Sequence, residues 1–448
     1  MFVKRLKTHE RIGDFSPKLY PFKEWAIGMC RRKLRFFVSW ILVIGFCSPA
    51  LRAEDNGVIK SEIANLHYFQ QLALQRNPAL RVVRHQVAQA KGRKTQAGLY
   101  PNPTIGYHAN MIGMHDANGA HGVFVRQLLP DSEKRNLEID IAGSQLSQFQ
   151  FQISLTEQRL KTDVAIAFGR LLIAQKRLET LQVLQQSTLE SVQSIQQLVQ
   201  AGQAGQHFLL QAQLENEQAY LQVIQAKQNL KTAWLILSSI CAIEGQQIKR
   251  VTGELYKIVE PVSWDFIVDK VIQKNPQVAL LNYRIQEQRI KMKRQEVNNK
   301  PDVEFMLSFR HDSLTDDDVA NIQIGMPIPI FDNNRGNIAS AKAELKALEN
   351  ELSLMKIKLR VRAGEVYRNY ENARVAESRY RETMLPLAEK NLQVVRAGFE
   401  QRQLNYLAFL TAQRSFLRIN LSYLSASEEL FEAVSELNGQ LLKEHLLQ

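Results

Sequence analysis

The chain has 448 residues, 45% of them hydrophobic, with 21 Gly, 13 Pro, three Cys and a net charge of +12. That apolar content excludes wholesale disorder, and three cysteines exclude a disulfide scaffold. Turn residues this scarce call for a few very long elements, not a string of ordinary domains.

The charge is unevenly placed. Residues 1–53 hold 11 Lys/Arg against three acids, so +8 of the total lies there and +4 is spread over the other 395 residues. A dispersed +4 is no footprint for nucleic acid. Arg31, Arg32, Lys33 and Arg35 precede the apolar run Phe36–Phe46, and Ser48–Ala53 offers small residues for cleavage, after Ala53 or Ala50. This is the pattern of an export signal over 29–53, with residues 1–28 an over-extended start ahead of Met29. Phe46 precedes Cys47 where a lipid-attachment motif needs a small residue, so Cys47 is not expected to be lipidated. Cleavage after Ala53 leaves Cys241 alone and no internal disulfide. No run of about 18 apolar residues exists, which excludes a polytopic helical membrane protein.

The remainder contains itself twice. Leu74–Leu80 recurs as Ile272–Val278 and Pro103–Tyr107 as Pro301–Phe305, both 198 residues on. Lys134–Asn136 faces Asn334–Gly336, and Ala212–Gln213 faces Ala412–Gln413, both at 200. The duplication divides the chain into repeats 54–255 and 256–448, each running helix, strand, strand, long helix, long helix. The period is too long for a solenoid and predicts one large pseudo-symmetric unit.

Period-two alternation marks the strands. Ile105, Tyr107, Ala109 and Met111 alternate with polar or small residues, as do Val303, Phe305, Leu307 and Phe309, and Ala320, Ile322, Ile324, Met326 and Ile328. The pattern is fainter over Val123–Leu128. Ile112–His121 and His311–Asp318 read as polar hairpin tips. No proline falls between Asp131 and Glu260, and after Ile330 only Pro386 interrupts, where it predicts a kink. Leu171, Ala174, Leu178, Leu181, Leu184, Val192, Ile195 and Val199 form a stripe at coiled-coil spacing. Leu137 to Ala201 gives a helix of about 100 Å, with Gly202–Gly205 as the hairpin turn. Lys291, Lys293 and Arg294 read as a solvated basic helix face.

Strands of eight to ten residues approach the ~9–11 that cross a bilayer, and in lipid a sheet must close into a barrel. Single-chain barrels start at about eight strands, so four per chain require several chains to share one barrel. The long helices then project away from it and close a second, helical tube.

These residues resemble the TolC-like outer-membrane efflux factors over about 60–448. The resemblance rests on Asn77-Pro78-Ala79-Leu80, on Asn275-Pro276-Gln277-Val278, and on Leu407, Leu410 and Ala412-Gln413-Arg414. Gly325–Asn337 and Glu133–Asn136 resemble the heavy-metal (cobalt-zinc-cadmium) branch. The resemblance implies a mainly α fold with a small β part: a homotrimer whose twelve strands form one outer-membrane barrel, continued by a periplasmic α-helical barrel. It implies a passive exit duct joined through a periplasmic adaptor to an inner-membrane pump of the resistance-nodulation-division type, and contact with outer-membrane lipid.

It also implies that the two hairpin tips form the adaptor-facing, gated end, with Gly202, Gln203, Gly205, Gln206, Arg396, Gly398, Glu400, Arg402 and Asn405 as candidates. Arg402 stands where the family's tip has Gly, so the second turn is expected to shift to Gly398. Phe208, Ala408 and Thr411 stand where many members carry acids, so no acidic gate is expected. No phosphate loop, nucleophile elbow, CxxC or HExxH occurs, hence no enzyme, cofactor or metal site. His108, His115, His121, His311, Asp312 and Asp316–Asp318 read as polar rim loops and not as ligands. The alternatives are the periplasmic adaptor itself, or a coiled-coil structural protein without a channel.

Overall fold

The computed structural model describes residues 65–110, 112, 119–243, 250–253, 263–268, 272–313 and 315–442. The export signal, the extended start, Cys47, His115 and most of the first hairpin tip lie outside them.

In the first repeat, α1 (Leu66–Arg76) and α2 (Pro78–Ala97) lead into β1 (Thr104–Asn110) and β2 (Ala120–Leu129). Then come α3 (Ser132–Gln200) and α4 (Gln206–Ile240). The second repeat has α5 (Trp264–Ile267), α6 (Pro276–Glu296), β3 (Val303–Asp312) and β4 (Asp317–Gly325). It continues through α7 (Arg335–Arg379), a π-helical turn at Tyr380–Met384, α8 (Leu385–Glu400) and α9 (Tyr406–Asn438). Helix α3 has 69 residues, about 100 Å at 1.5 Å each, and starts five residues before the expected Leu137. Asp131 sets that start: its carboxylate accepts from the N–H groups of Glu133 and Lys134.

The Asn-Pro motif has the same job in both repeats. Asn77 caps α2 by accepting from Ala79 N–H at 2.8 Å, and its amide donates to the carbonyl of Ile240 at the end of α4, also at 2.8 Å. Asn275 accepts from Gln277 N–H at 2.8 Å and donates to the Gln440 carbonyl beyond α9 at 2.9 Å. Proline follows because its missing N–H costs nothing in the first helical turn. Each repeat therefore ties its second long helix back to its own beginning.

The core is strung along the helices in separate clusters. One gathers Phe69, Phe168, Leu171, Trp234 and Leu237; another gathers Ile267, Leu359, Tyr370 and Leu430. Buried Leu171, Leu181 and Ile195 bear out the stripe on α3. Cys241 is buried with its Sγ against the Phe69 carbonyl, and burial pushes its thiol up to about 12.

Pro386 follows the π-helical turn. A proline ring collides with the carbonyl four residues back, and widening one turn relieves that collision. The expected basic face on α6 is not simply solvated. Arg294 pairs with Glu138 of α3 at 2.9 Å, because α3 packs against α6, and Lys291 pairs with Glu287 one turn back on α6 itself at 2.7 Å.

The strands form one antiparallel sheet in the order β1-β2-β3-β4. Two expectations about it are corrected. β4 ends at Gly325, not at Ile328, since Pro327 and Pro329 have no N–H to donate. The second hairpin is shorter than expected, with His311 paired to Asp318 and Asp312 to Asp317 inside the ladder. No described helix is long and apolar enough to cross a membrane.

Candidate functional site

The sheet has one apolar face. The rows Ile105–Val125–Leu307–Ile322 and Tyr107–Val123–Phe309–Ala320 run straight across all four strands. Ile105, Tyr107, Val123, Phe309, Ile322 and Ile324 are each more than half exposed. Thr104, His108, Asn110, Arg126, Glu304, Arg310, Asn321 and Gln323 share the opposite face. There Arg126 lies over the Phe124 ring and pairs with Glu304 at 3.5 Å. Gly106 is required beneath Phe124, because a side chain would collide with that ring. A sheet with a wet face and an exposed apolar one is built to stand between water and lipid.

At the end of the sheet that meets the helices, Lys134 is buried and reaches Asp302 at 3.0 Å. Asp302 also accepts from Asp131 N–H at 3.0 Å. Burial works against its charge, but the Asp131 N–H and Lys134 outweigh it and hold the carboxyl below its usual range. Lys300 pairs with Glu133 alongside. The exit of β2 is thus bolted to the lead-in of β3, joining the repeats.

At the far end lie the two tips. In the first, Gly202 adopts φ 72°, Gln203 N–H donates to Leu198 O at 2.8 Å, and Gly202 N–H to Val199 O at 3.0 Å. The second tip repeats this bond for bond. Arg402 takes φ 60°, Gln403 N–H donates to Gly398 O at 2.8 Å, and Arg402 N–H to Phe399 O at 2.9 Å. The turn therefore stays at Arg402 and does not move to Gly398. Gly398 has another use: a Cβ there would press on Leu404, which folds back over it.

Gly202, Gln203, Gly205, Gln206, Arg396, Glu400, Arg402 and Asn405 are exposed, and Gly398 is half-buried. Arg396 pairs with Glu400 at 3.1 Å. Asn405 caps α9 by accepting from Ala408 N–H at 2.9 Å, whereas Gly205 starts α4 without a side-chain cap. The fold brings all nine candidates to the same two turns.

Behind the tips, Ile195, Ala212, Tyr406, Phe409 and Leu410 form a buried cluster, flanked by Phe208 and Phe399. Phe208 thus packs against this cluster. Burial next to Glu215 raises the Tyr406 hydroxyl to about 12. One turn beyond, the hairpins are clasped. Arg414 of α9 binds the buried Glu215 of α4 with both guanidinium arms. Gln413 donates to Ser187 of α3 at 3.0 Å.

Sequence patterning alone does not single out Glu215, and it marks Arg414 only as part of a motif. The signal was there, since the repeated Ala-Gln is followed by an acid in one copy (Ala212-Gln-Leu-Glu215) and a base in the other (Ala412-Gln-Arg414). A groove of about 870 Å³ runs between α3, α8 and α9 here, lined by Glu179, Val183, Leu392, Arg396 and Phe416 among others. Among the described residues no three His, Cys, Asp or Glu are grouped to hold a metal ion.

A short amphipathic sheet carrying two helical hairpins, each with one arm of about 100 Å and one of about 50 Å, has the architecture of a TolC-like outer-membrane channel with a large periplasmic part. Residues 70–242 match the family described as outer membrane efflux protein. The chain is 23% identical over 417 residues to the cobalt-zinc-cadmium resistance protein CzcC of Cupriavidus metallidurans, covering 90% of this chain and 98% of that one. Its fold is similar to a membrane protein of Pseudomonas aeruginosa, with TM-score 0.72 and 17% identity, covering 84% of this chain and 92% of the other. It is also similar to the outer-membrane channel OprN, with TM-score 0.71 and 14% identity, covering 84% and 89%. With the family match over residues 70–242 and the likeness to CzcC along nearly its whole length, the chain is an outer-membrane exit duct.

Proposed function

We propose that three copies assemble with their twelve strands in one barrel, each chain contributing a third of the wall and each of its two repeats, 54–255 and 256–448, a sixth. The observation that carries this is the exposed apolar face of a four-stranded sheet, which is too narrow to close alone. The duct is passive and carries no reaction of its own. Cargo reaches it from an inner-membrane pump of the resistance-nodulation-division type through a periplasmic adaptor.

The adaptor meets the tips around Gly202, Gln203, Gly205, Gln206, Arg396, Gly398, Glu400, Arg402 and Asn405. The groove between α3, α8 and α9 supports this, as it opens beside Arg396 and offers an apolar floor with charged margins. The cargo class is divalent heavy-metal cations, supported by the similarity to a cobalt-zinc-cadmium resistance protein along nearly the whole of both chains.

Deleting the gene tests the cargo. The mutant should lose tolerance to zinc, cobalt or cadmium and regain it on complementation. Equal tolerance of mutant and parent to all these metals refutes the cation reading. Native mass of the detergent-extracted protein should be three times that of the chain, and planar-bilayer recording should show conductance. A monomer without conductance would remove the duct.

A further inference from the structure

Along the middle of α9, Arg418, Ser422, Ser425 and Glu429 recur at spacings of four, three and four, which places them on one helix face. That face lines a second groove, of about 600 Å³, closed on its other sides by Arg177 of α3 and by Tyr380 at the start of the π-helical turn. The groove is remote from the tips and from the sheet, and no role has yet been found for it.

The surrounding arginines are committed to carboxylates. Arg170 binds both oxygens of Glu432, at 3.0 and 3.1 Å. Arg381 pairs with Glu377 and with Glu382, each at 3.1 Å, and Arg374 pairs with Glu371 at 2.9 Å. Arg177 and Arg418, the two that line the groove, have no carboxylate within ion-pair distance among the described residues. Arg177 donates to the Ser425 hydroxyl at 3.0 Å, and its Nε is buried with no acceptor. A buried donor left unmade is costly, so a guanidinium in this state is short of one partner. Glu428 does not supply it. That side chain lies in a separate cavity of about 240 Å³, where burial holds its carboxyl above the usual range and it bonds to neither Arg170 nor Arg177.

We propose that the groove binds a small organic carboxylate, its head between Arg177 and Arg418 and its apolar body against Leu421, Ala376 and the Tyr380 ring. The planar fork of a guanidinium matches a carboxylate, and the head supplies the acceptor that the buried Nε lacks. Two arginines and Glu429 leave the lining at +1, which suits a monoanion and disfavours a dianion such as phosphate. The volume falls within the range of small-molecule sites. Arg177 comes from the first repeat, and Arg418 and Tyr380 from the second, so the bound molecule bridges the repeats and braces the π-helical turn. The site lies within one chain and stands whether or not three copies share a barrel.

The probe is benzoate, titrated by calorimetry into the full-length protein in a non-ionic detergent, with benzamide as its neutral isostere. Benzoate should bind saturably, benzamide should not, and inorganic phosphate should bind more weakly than benzoate. Arg418→Met should weaken benzoate about ten-fold or more, the loss of one charge-assisted pair, and Arg418→Lys should recover part of it. Arg418 is exposed, so an unchanged native mass and unfolding temperature will show that the variant is folded. Arg177→Lys keeps the charge, removes the Nε donor and should also weaken binding. Hydrogen exchange at Tyr380–Met384 should slow with benzoate, while that of the first tip, 198–205, should not change. No saturable binding, equal binding of benzamide, tighter binding of phosphate, or unchanged affinity in Arg418→Met and Arg177→Lys overturns the site. Unchanged exchange at the π-helical turn with benzoate bound overturns the bracing.

Discussion

Arg414→Met tests the clasp between the hairpins. It preserves the length and apolar stem of the side chain and removes two charge-assisted bonds to Glu215, whose side chain is 10% exposed, while that of Arg414 is 50% exposed. Such bonds contribute about 1.5–3 kcal/mol each when well made. Breaking a fully buried pair costs about 3–5 kcal/mol, because one charge is left unpaired. Here half the guanidinium remains in water, and Gln211 still donates to Glu215 at 3.2 Å, so the lower figures apply. A cost of about 2 kcal/mol corresponds to roughly a 30-fold change in the local opening equilibrium. Hydrogen exchange of the α9 amides over 406–414 in the solubilised protein should accelerate by that factor, with amides near Asn275 unchanged. Glu215→Gln should do much the same, and the double variant should be no worse than either single one. Unchanged exchange in Arg414→Met, or fully additive effects in the double variant, would refute the clasp.

Asn77→Ala and Asn275→Ala should each destabilise by about 2–3 kcal/mol, combining a lost helix cap with an orphaned carbonyl. Thermal unfolding should give similar losses for the two, as their bonds are equivalent. Gly169→Ala places a methyl against the Phe431 ring and should cost about 1–3 kcal/mol, recovered in part by Phe431→Leu. Glu287 is penalised by burial, yet bonds from Lys291, Gln145 and Gln148 hold its carboxyl below the usual range. Its contribution is present above the ordinary carboxylate pKa and disappears as pH falls through the depressed value. An acid titration of Glu287→Gln should therefore show a shallower loss of stability over that range than the parent.

The duplication, the strands and the α3 stripe were legible because each is a periodic property of the chain. Alternation running from Ala320 to Ile328 reads as one strand, and the ladder stops at Gly325 for a reason periodicity does not carry: the absent N–H groups of Pro327 and Pro329. Arg402 was expected to yield its turn to Gly398 on local cost alone. Yet a left-handed non-glycine residue costs only about 1–2 kcal/mol. Against that stand the packing of Leu404 over Gly398 and the stacking of Phe399 on Phe409 at 5.3 Å, both of which fix the hairpin length. Glu215 is not legible in the sequence because its partner lies 199 residues away and neither residue alone breaks a pattern.

The paired asparagines give the long helices the mechanics of levers. Asn77 pins the end of α4 and Asn275 the chain just beyond α9, both at the end remote from the turns. Helix α4 has 35 residues, about 50 Å from fulcrum to free end. A rotation of about 5° at the pinned end, too small to disturb an ordinary side-chain packing, sweeps the other end through about 4 Å by the geometry of a rod of that length. Anchored at one end only by such bonds, each return helix magnifies angular play at its pinned end into displacement at the turn.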